Sequence, residues 1–327
     1  MYMDGNNKTK RIQQIMQCET VTKLNELTRN GGIRELIRMT EAHHENCFSE
    51  IADKIYNRNI QVVMVAGPSS SGKTTSAHRL LTQLRLRGKK PILISLDDYY
   101  IDRDKIIPAD DGTIDFEHIN TIDTNLFAQH LELLFHGRDI QLPTFNFCTG
   151  RREQKMKNVQ LQPDSVLIVE GLHALNPRLI TCGIAQVRIF KLYLCPALSV
   201  KIDEKTMIEP DCVRLFRRIV RDYKTRGTSV RRTIQMWQSV CQGEKRWIAP
   251  FRQNADDHFD SSTLYELAVL KKHVLPLLAG VEGEDARHET LNAVVNLLGF
   301  VKKADVDDEI PPTSLIREFI GGSTFYR

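Results

Sequence analysis

The stretch Gly67-Pro68-Ser69-Ser70-Ser71-Gly72-Lys73-Thr74-Thr75 constrains this chain more than any other. It satisfies the phosphate-loop pattern G-x-x-x-x-G-K-[ST] at every position. That pattern works only between a strand and a helix, and both flanks comply. Val62-Val63-Met64-Val65-Ala66 is a short apolar run that reads as a buried parallel strand. Ala77, Leu80, Leu81 and Leu84 then recur at helical spacing, and Gly88 stands where a helix would stop. At such a junction, unpaired backbone N–H groups and the positive end of the helix hold an anion. Gly67 and Gly72 let the backbone wrap a triphosphate closely, with Ser69, Ser70, Ser71 and Thr75 completing the candidate cradle. Lys73 would reach the β- and γ-phosphates, and the Thr74 hydroxyl would ligate Mg²⁺.

The remaining apolar runs extend this into an α/β fold. Pro91 to Leu96 reads as a second strand, Ser165 to Gly171 as a third and Val187 to Leu194 as a fourth. Helical spacing recurs at Leu126 to Phe135, Leu264 to Leu278 and Ala286 to Leu298, and a short helix is predicted at Ser314 to Ile320. The expected fold is a P-loop NTPase-type, mostly parallel sheet with helices on both faces, plus helical N- and C-terminal extensions. The boundaries expected are an extension over residues 1–58, a kinase domain over 59–280 and a C-terminal helical segment over 281–327. The stripes Val21, Leu24, Leu27 and Ile33, Leu36, Ile37, Phe48, Ile51, Ile55 need cover, from the kinase body or from a second copy in a homo-oligomer.

Composition excludes several classes. The chain has 45 basic and 41 acidic residues, a net charge of +4, which argues for neither nucleic acid nor a membrane surface as partner. No apolar run approaches the ~20 residues of a membrane span. The polar start, Met1 to Lys10, lacks the apolar core of a signal peptide. Seven scattered cysteines (Cys18, Cys47, Cys148, Cys182, Cys195, Cys212, Cys241) make no disulfide framework, so a reducing cytoplasm is expected. His43, His44 and Cys47 share one helical turn but lack a fourth ligand, so packing is the simpler expectation.

Acidic residues end two of the strands: Asp97 and Asp98 follow the second, and Glu170 ends the third. In open α/β sheets ligands gather at these carboxyl ends. Glu170 is thus a second Mg²⁺-binding candidate opposite Thr74. The acidic stretch from Asp102 through Asp110 and Asp111 to Glu117 reads as a functional loop or a solvated one. Arg214, Arg217, Arg218, Arg221, Arg226, Arg231 and Arg232 form the strongest charge feature, with Arg214, Arg218 and Arg221 on one basic helical face and Arg217 and Arg221 an i,i+4 pair. With a triphosphate site in the chain, that face reads as a mobile lid that clamps phosphoryl oxygens.

Together these motifs resemble the uridine kinase and phosphoribulokinase group of P-loop kinases. Gly67 to Thr75, Ser95-Leu96-Asp97-Asp98-Tyr99-Tyr100, Val169-Glu170-Gly171, and Arg214 to Asp222 followed by Arg226-Gly227 carry the resemblance, which spans roughly residues 60 to 265. It is similar, more narrowly, to a bacterial-type nucleoside kinase subfamily. That likeness rests on Ile33-Arg34-Glu35-Leu36-Ile37, Trp247 to Phe251, Tyr265 to Leu270 and Arg317-Glu318-Phe319-Ile320-Gly321-Gly322. The resemblance implies ATP and Mg²⁺ as cofactors and a small-molecule acceptor, a nucleoside first of all. It implies Asp97 as the base, Lys73, Arg218 and Arg221 as catalytic partners, Arg226 on the nucleotide, and Thr74 with Glu170 on the metal. Asp97, Tyr100, Glu117, Phe145 and His173 would contact the acceptor. Two departures bear on specificity: Gly150 stands where uridine kinases place a base-reading His, and Thr228 replaces a lid Arg. A sugar phosphate or pantothenate is the rival acceptor, and a nucleotide-sensing protein without turnover is the rival role.

Overall fold

The computed structural model describes residues 4–107, 115–154, 156–179, 187–281 and 289–325. Asp110, Asp111, Cys182 and the first residues of the helix expected from Ala286 lie outside these. Ten helices are described: α1 (Asp4–Ile15), α2 (Val21–Asn30), α3 (Ile33–Asn57), α4 (Lys73–Leu86), α5 (Thr124–Phe135), α6 (Pro210–Thr225), α7 (Val230–Trp247), α8 (Glu266–Leu278), α9 (Glu289–Phe300) and α10 (Arg317–Ile320). The strands are β1 (Val62–Ala66), β2 (Lys90–Ser95), β3 (Ile140–Leu142), β4 (Phe145–Asn146), β5 (Arg151–Arg152), β6 (Lys157–Val159), β7 (Ser165–Glu170), β8 (Ile189–Cys195), β9 (Val200–Lys201), β10 (Met207–Ile208) and β11 (Asp257–Asp260).

Five strands form the central sheet in the order β11-β8-β1-β7-β2, every neighbouring pair parallel. The other three pairs, β3 with β6, β4 with β5 and β9 with β10, are antiparallel. β1 sits at the centre and is buried at all five positions. Side chains alternate between faces along a strand, and here the alternation feeds two cores. Val62, Met64 and Ala66 join Phe127, Leu131 and Leu134 of α5. Val63 and Val65 join Ala77, Leu80 and Leu84 of α4 and Phe48, Ile51 and Ile55 of α3. A parallel sheet must be covered on both faces, and this one is.

A third core lies off the sheet. It unites Val21, Leu24, Leu36 and Ile37 with Phe216 and Ile219 of α6, Val269 and Val274 of α8, Leu291 and Leu298 of α9, and Ile316. The N-terminal stripes are therefore covered by the body of the same chain. Deleting residues 1–57 is expected to uncover these surfaces, so the truncated protein should melt well below the full chain and bind a hydrophobic dye. Equal melting temperatures would make the N-terminal helices a mere tether.

Among the described residues no helix is long and apolar enough to cross a membrane, and the six described cysteines are free. His43 and Cys47 meet at 3.7 Å, but the fully buried His44 turns its Nε2 to the Ser262 carbonyl at 3.0 Å.

Candidate active site

Most of the motif residues converge on the carboxyl edge of the sheet, around a cavity of about 590 Å³. The phosphate loop leaves β1 hard against β8, where a Cβ at Gly67 would run into the Leu194 carbonyl oxygen. Gly72 holds φ 90°, a left-handed conformation that only glycine adopts cheaply. Ser69, Ser70, Ser71, Gly72, Lys73 and Thr74 all line the cavity. The Ser70 and Ser71 hydroxyls are buried with no hydrogen-bond partner among the described residues. Lys73 donates to the Pro68 carbonyl at 3.0 Å. Burial lowers its pKa, against the pull of Glu170 and Asp97.

Glu170 lies beside Val65 and Ser95 in register, so β7 carries its carboxylate between the phosphate loop and the end of β2. Its Oε1 accepts from the Thr74 hydroxyl at 3.2 Å and from the Ser95 hydroxyl at 2.7 Å. Burial first, then the nearby Asp97 charge, pushes its pKa up to about 7. This all-oxygen cluster suits a hard divalent cation. Ser95 was not among the residues expected from sequence; only its position one residue before the Leu96-Asp97 turn could have signalled it. Its Oγ also accepts from the Asp97 backbone N–H at 3.3 Å and so orients the turn.

Asp97 lines the cavity and stands 3.7 Å from the Arg226 guanidinium. Its neighbour Asp98 faces away and accepts from the Phe145 backbone N–H at 3.2 Å. Burial raises the Asp98 pKa to about 6.

The arginine face of α6 differs from an exposed lid. Arg214 and Arg217 are buried, 2% and 0% exposed, and brace the loop from behind. Arg214 donates to the Ser69 carbonyl at 3.1 Å and pairs with Glu244 at 2.7 Å. Arg217 forms a two-pronged pair with Glu266 at 2.7 and 2.9 Å and donates to the Ser261 carbonyl at 2.8 Å. Arg218 and Arg221 line the cavity instead. Arg218 donates to the Ser69 hydroxyl at 2.7 Å, and Arg221 pairs with Asp222 at 2.7 Å. Burial alone would raise the Asp222 pKa, but Arg221, Arg218 and Arg226 together hold it below the usual carboxylate range.

The far end of the cavity is aromatic. Tyr100, Phe145 and Phe147 pack with ring centroids 5.3 to 6.0 Å apart, and the Arg226 guanidinium lies 4.0 Å from the Phe147 ring centre. Glu117 closes this end, 7% exposed, with Oε2 unpartnered among the described residues. Burial raises its pKa, with Arg218 opposing. Gly243 of α7 makes room for it, since a Cβ there would stand 2.5 Å from the Glu117 Cβ. Gly150, at φ 70°, is backed by Arg103, whose side chain fills the space a Cβ would need. The Arg103 guanidinium donates to the Phe147 carbonyl at 2.9 Å.

Three expected residues stand off the wall. Gly67 shapes the loop without lining the cavity, and Thr75 is covered by Glu318, to which its N–H and hydroxyl donate at 3.2 and 2.8 Å. His173, expected to contact the acceptor, is 1% exposed, does not line the cavity and packs beside the Glu117 backbone. Burial lowers its pKa to about 4. A histidine whose folded pKa lies below its unfolded value of about 6.5 binds its proton more readily in the unfolded chain. Its stability contribution is therefore complete above pH 6.5 and is lost as pH falls toward 4. Thermal melts should show wild type losing stability across that window and His173→Gln losing less; parallel curves would show that His173 does not titrate on unfolding.

The chain matches the Phosphoribulokinase / Uridine kinase family over residues 62–267. Uridine kinase of Brevibacillus brevis is 30% identical over 200 residues, 61% of this chain and 83% of that one. Uridine kinase of Staphylococcus haemolyticus is 26% identical over 200 residues, 61% and 86% of the two chains. Among solved structures, D-glycerate 3-kinase from Cryptococcus neoformans var. grubii is 15% identical and aligns with 86% of this chain and 88% of its own at a TM-score of 0.32. The family match takes in more than half of the chain, which belongs to the phosphoribulokinase / uridine kinase family and is a phosphotransferase whose acceptor is a hydroxyl group.

Proposed function

We propose that the chain transfers the γ-phosphoryl group of ATP to the 5′-hydroxyl of a nucleoside. One observation carries this reading. Asp97 stands in one cavity between the phosphate loop and the aromatic pocket of Tyr100, Phe145 and Phe147 closed by Glu117. A hydroxyl in that pocket would meet Asp97, which accepts its proton as the oxygen attacks phosphorus. Lys73, Arg218 and Arg221 face the loop and would neutralise charge spreading over the phosphoryl oxygens. Thr74 and Glu170 are the residues that would hold Mg²⁺, whose chemistry there is to offset the β- and γ-phosphate charge. The buried, unpartnered Glu117 oxygen suits an acceptor bearing neighbouring hydroxyls, as a ribose does.

Aromatic faces stack on any base, and Gly150 supplies no side chain to read one. Discrimination among bases should therefore be weak. A second reading is favoured by Arg103, which lines the cavity and packs against Gly150: the acceptor would then carry an anion, as a sugar phosphate or pantothenate does. ADP release should be compared for uridine, cytidine, adenosine, guanosine, inosine, pantothenate and ribulose 5-phosphate. The expected result is turnover of several nucleosides with kcat/KM ratios well under about 10⁴, the level reached when a site hydrogen-bonds the distinguishing group. Turnover of only an anionic compound would replace the nucleoside reading with the second. Nucleotide binding without any turnover would leave a sensor.

A further inference from the structure

The C-terminal segment reaches the phosphate loop although it lies outside the family match of residues 62–267. Leu315 is fully buried and sits against Gly72, 2.6 Å from where a Cβ would stand. Phe319 is 1% exposed and lies under the Arg217 guanidinium at 5.3 Å. Lys224 holds the Ile320 carbonyl at 2.6 Å, and Arg317 donates to the Ile310 carbonyl at 2.7 Å. So anchored, α10 aims the Glu318 carboxylate at the start of α4.

Thr75 is the third residue of α4, within the first turn, where helix N–H groups have no intrahelical acceptor. In a phosphate loop these N–H groups cradle the nucleotide's phosphates. Here one Glu318 oxygen takes both the Thr75 N–H, at 3.2 Å, and its hydroxyl, at 2.8 Å. A carboxylate is thus placed where this helix end would receive a phosphate. The loop's other buried donors, the Ser70 and Ser71 hydroxyls, remain without partners. They mark that part of the phosphate seat as built and unengaged by side chains, whereas the Ser69 and Thr74 hydroxyls are held by Arg218 and Glu170.

We infer that Glu318 is a built-in competitor at the donor site: its carboxylate occupies the Thr75 seat that a nucleotide phosphate takes, and nucleotide binding displaces it. This rests on the donor-site reading above and adds a residue and a role to it. Two anions cannot share one helix N-terminus without repulsion, so ATP binding must overcome the Glu318 contact. Because Phe319 and Ile320 hold α10 in the core, the exchange needs only rotation of the Glu318 side chain, not withdrawal of the segment.

The test is calorimetric binding of MgATP, MgADP and inorganic pyrophosphate to the full chain. Glu318→Gln changes only the charge and keeps an acceptor for the Thr75 hydroxyl; Glu318→Asp keeps the charge and shortens its reach. Both should bind MgATP more tightly than wild type, Glu318→Gln by about tenfold, within the 5- to 150-fold range usual for coupled sites. Pyrophosphate, with two phosphates to place, should gain less than MgATP. A crystal structure of the wild-type chain with MgADP should show the Glu318 carboxylate turned off the Thr75 N–H, a readout that needs no variant to fold. Equal or weaker MgATP binding by Glu318→Gln, or a carboxylate still on Thr75 beside bound MgADP, would overturn the proposal and make Glu318 a helix cap. Failure of all three ligands to bind wild type and variants alike would remove the donor-site reading itself, and the proposal with it.

Discussion

Asp97→Asn is expected to lower kcat by about 10²–10⁴, the usual worth of a positioned general base. Asparagine keeps the size of the side chain and the turn geometry set by the Ser95 hydroxyl, which accepts from the backbone N–H and not from the carboxylate. What is lost is the proton acceptor proposed above. MgATP binding should change little, because among the described residues the Asp97 side chain makes no hydrogen bond to the phosphate loop, whose Lys73 is held by the Pro68 carbonyl and whose Ser69 is held by Arg218. Arg226 loses a partner at 3.7 Å but keeps Asp222 at 4.0 Å. Asp98 cannot step in: it is committed to the Phe145 backbone N–H and faces away from the cavity. Steady-state rates with saturating MgATP, set beside calorimetric binding, decide the matter. Turnover near wild type would mean that the reaction proceeds without a carboxylate base.

The parts of this molecule legible in its sequence are those whose signal is local. β1, β2 and β7 are continuous apolar runs, and the phosphate loop is a motif nine residues long, so the fold class and the strand-loop-helix junction follow from short windows. β11 has no such signal: Asp257-His258-Phe259-Asp260 is mostly polar, and only its pairing with β8 makes it a strand. The burial of His173 is hidden for a related reason. It stands two residues past Gly171 at 1% exposure, and no short window around it announces that burial. The C-terminal helix was foreseen as an element but not as a wall of the site, since Glu318 and Thr75 lie 243 positions apart. The arginines of α6 show the limit most sharply. Spacing put Arg214, Arg218 and Arg221 on one face, but no helical period separates those that brace the loop from those that line the cavity.

Arg217→Ala and Arg218→Ala should therefore fail in opposite ways although they are neighbours in sequence. Arg217 is fully buried, and its removal strands the Glu266 carboxylate in the core with only the Thr263 backbone N–H, at 2.9 Å, still bound to it. Breaking a buried pair from one side costs about 3–5 kcal/mol. The Arg217→Ala protein should melt far below wild type, and what remains folded should keep its kcat. Arg218 binds the Ser69 hydroxyl at 2.7 Å and Asp222 at 3.2 Å on the cavity wall. Its loss leaves Asp222 still paired with Arg221 at 2.7 Å, so the fold should hold. Catalysis should not, because an arginine on the transferring phosphoryl group is worth about 10³–10⁵ in rate. Thermal melts and kcat measured on both proteins separate the two roles. A stable Arg217→Ala would show that Glu266 finds another partner or a proton. An Arg218→Ala within tenfold of wild-type kcat would remove Arg218 from the chemistry and leave Arg221 and Lys73 to neutralise the phosphoryl charge.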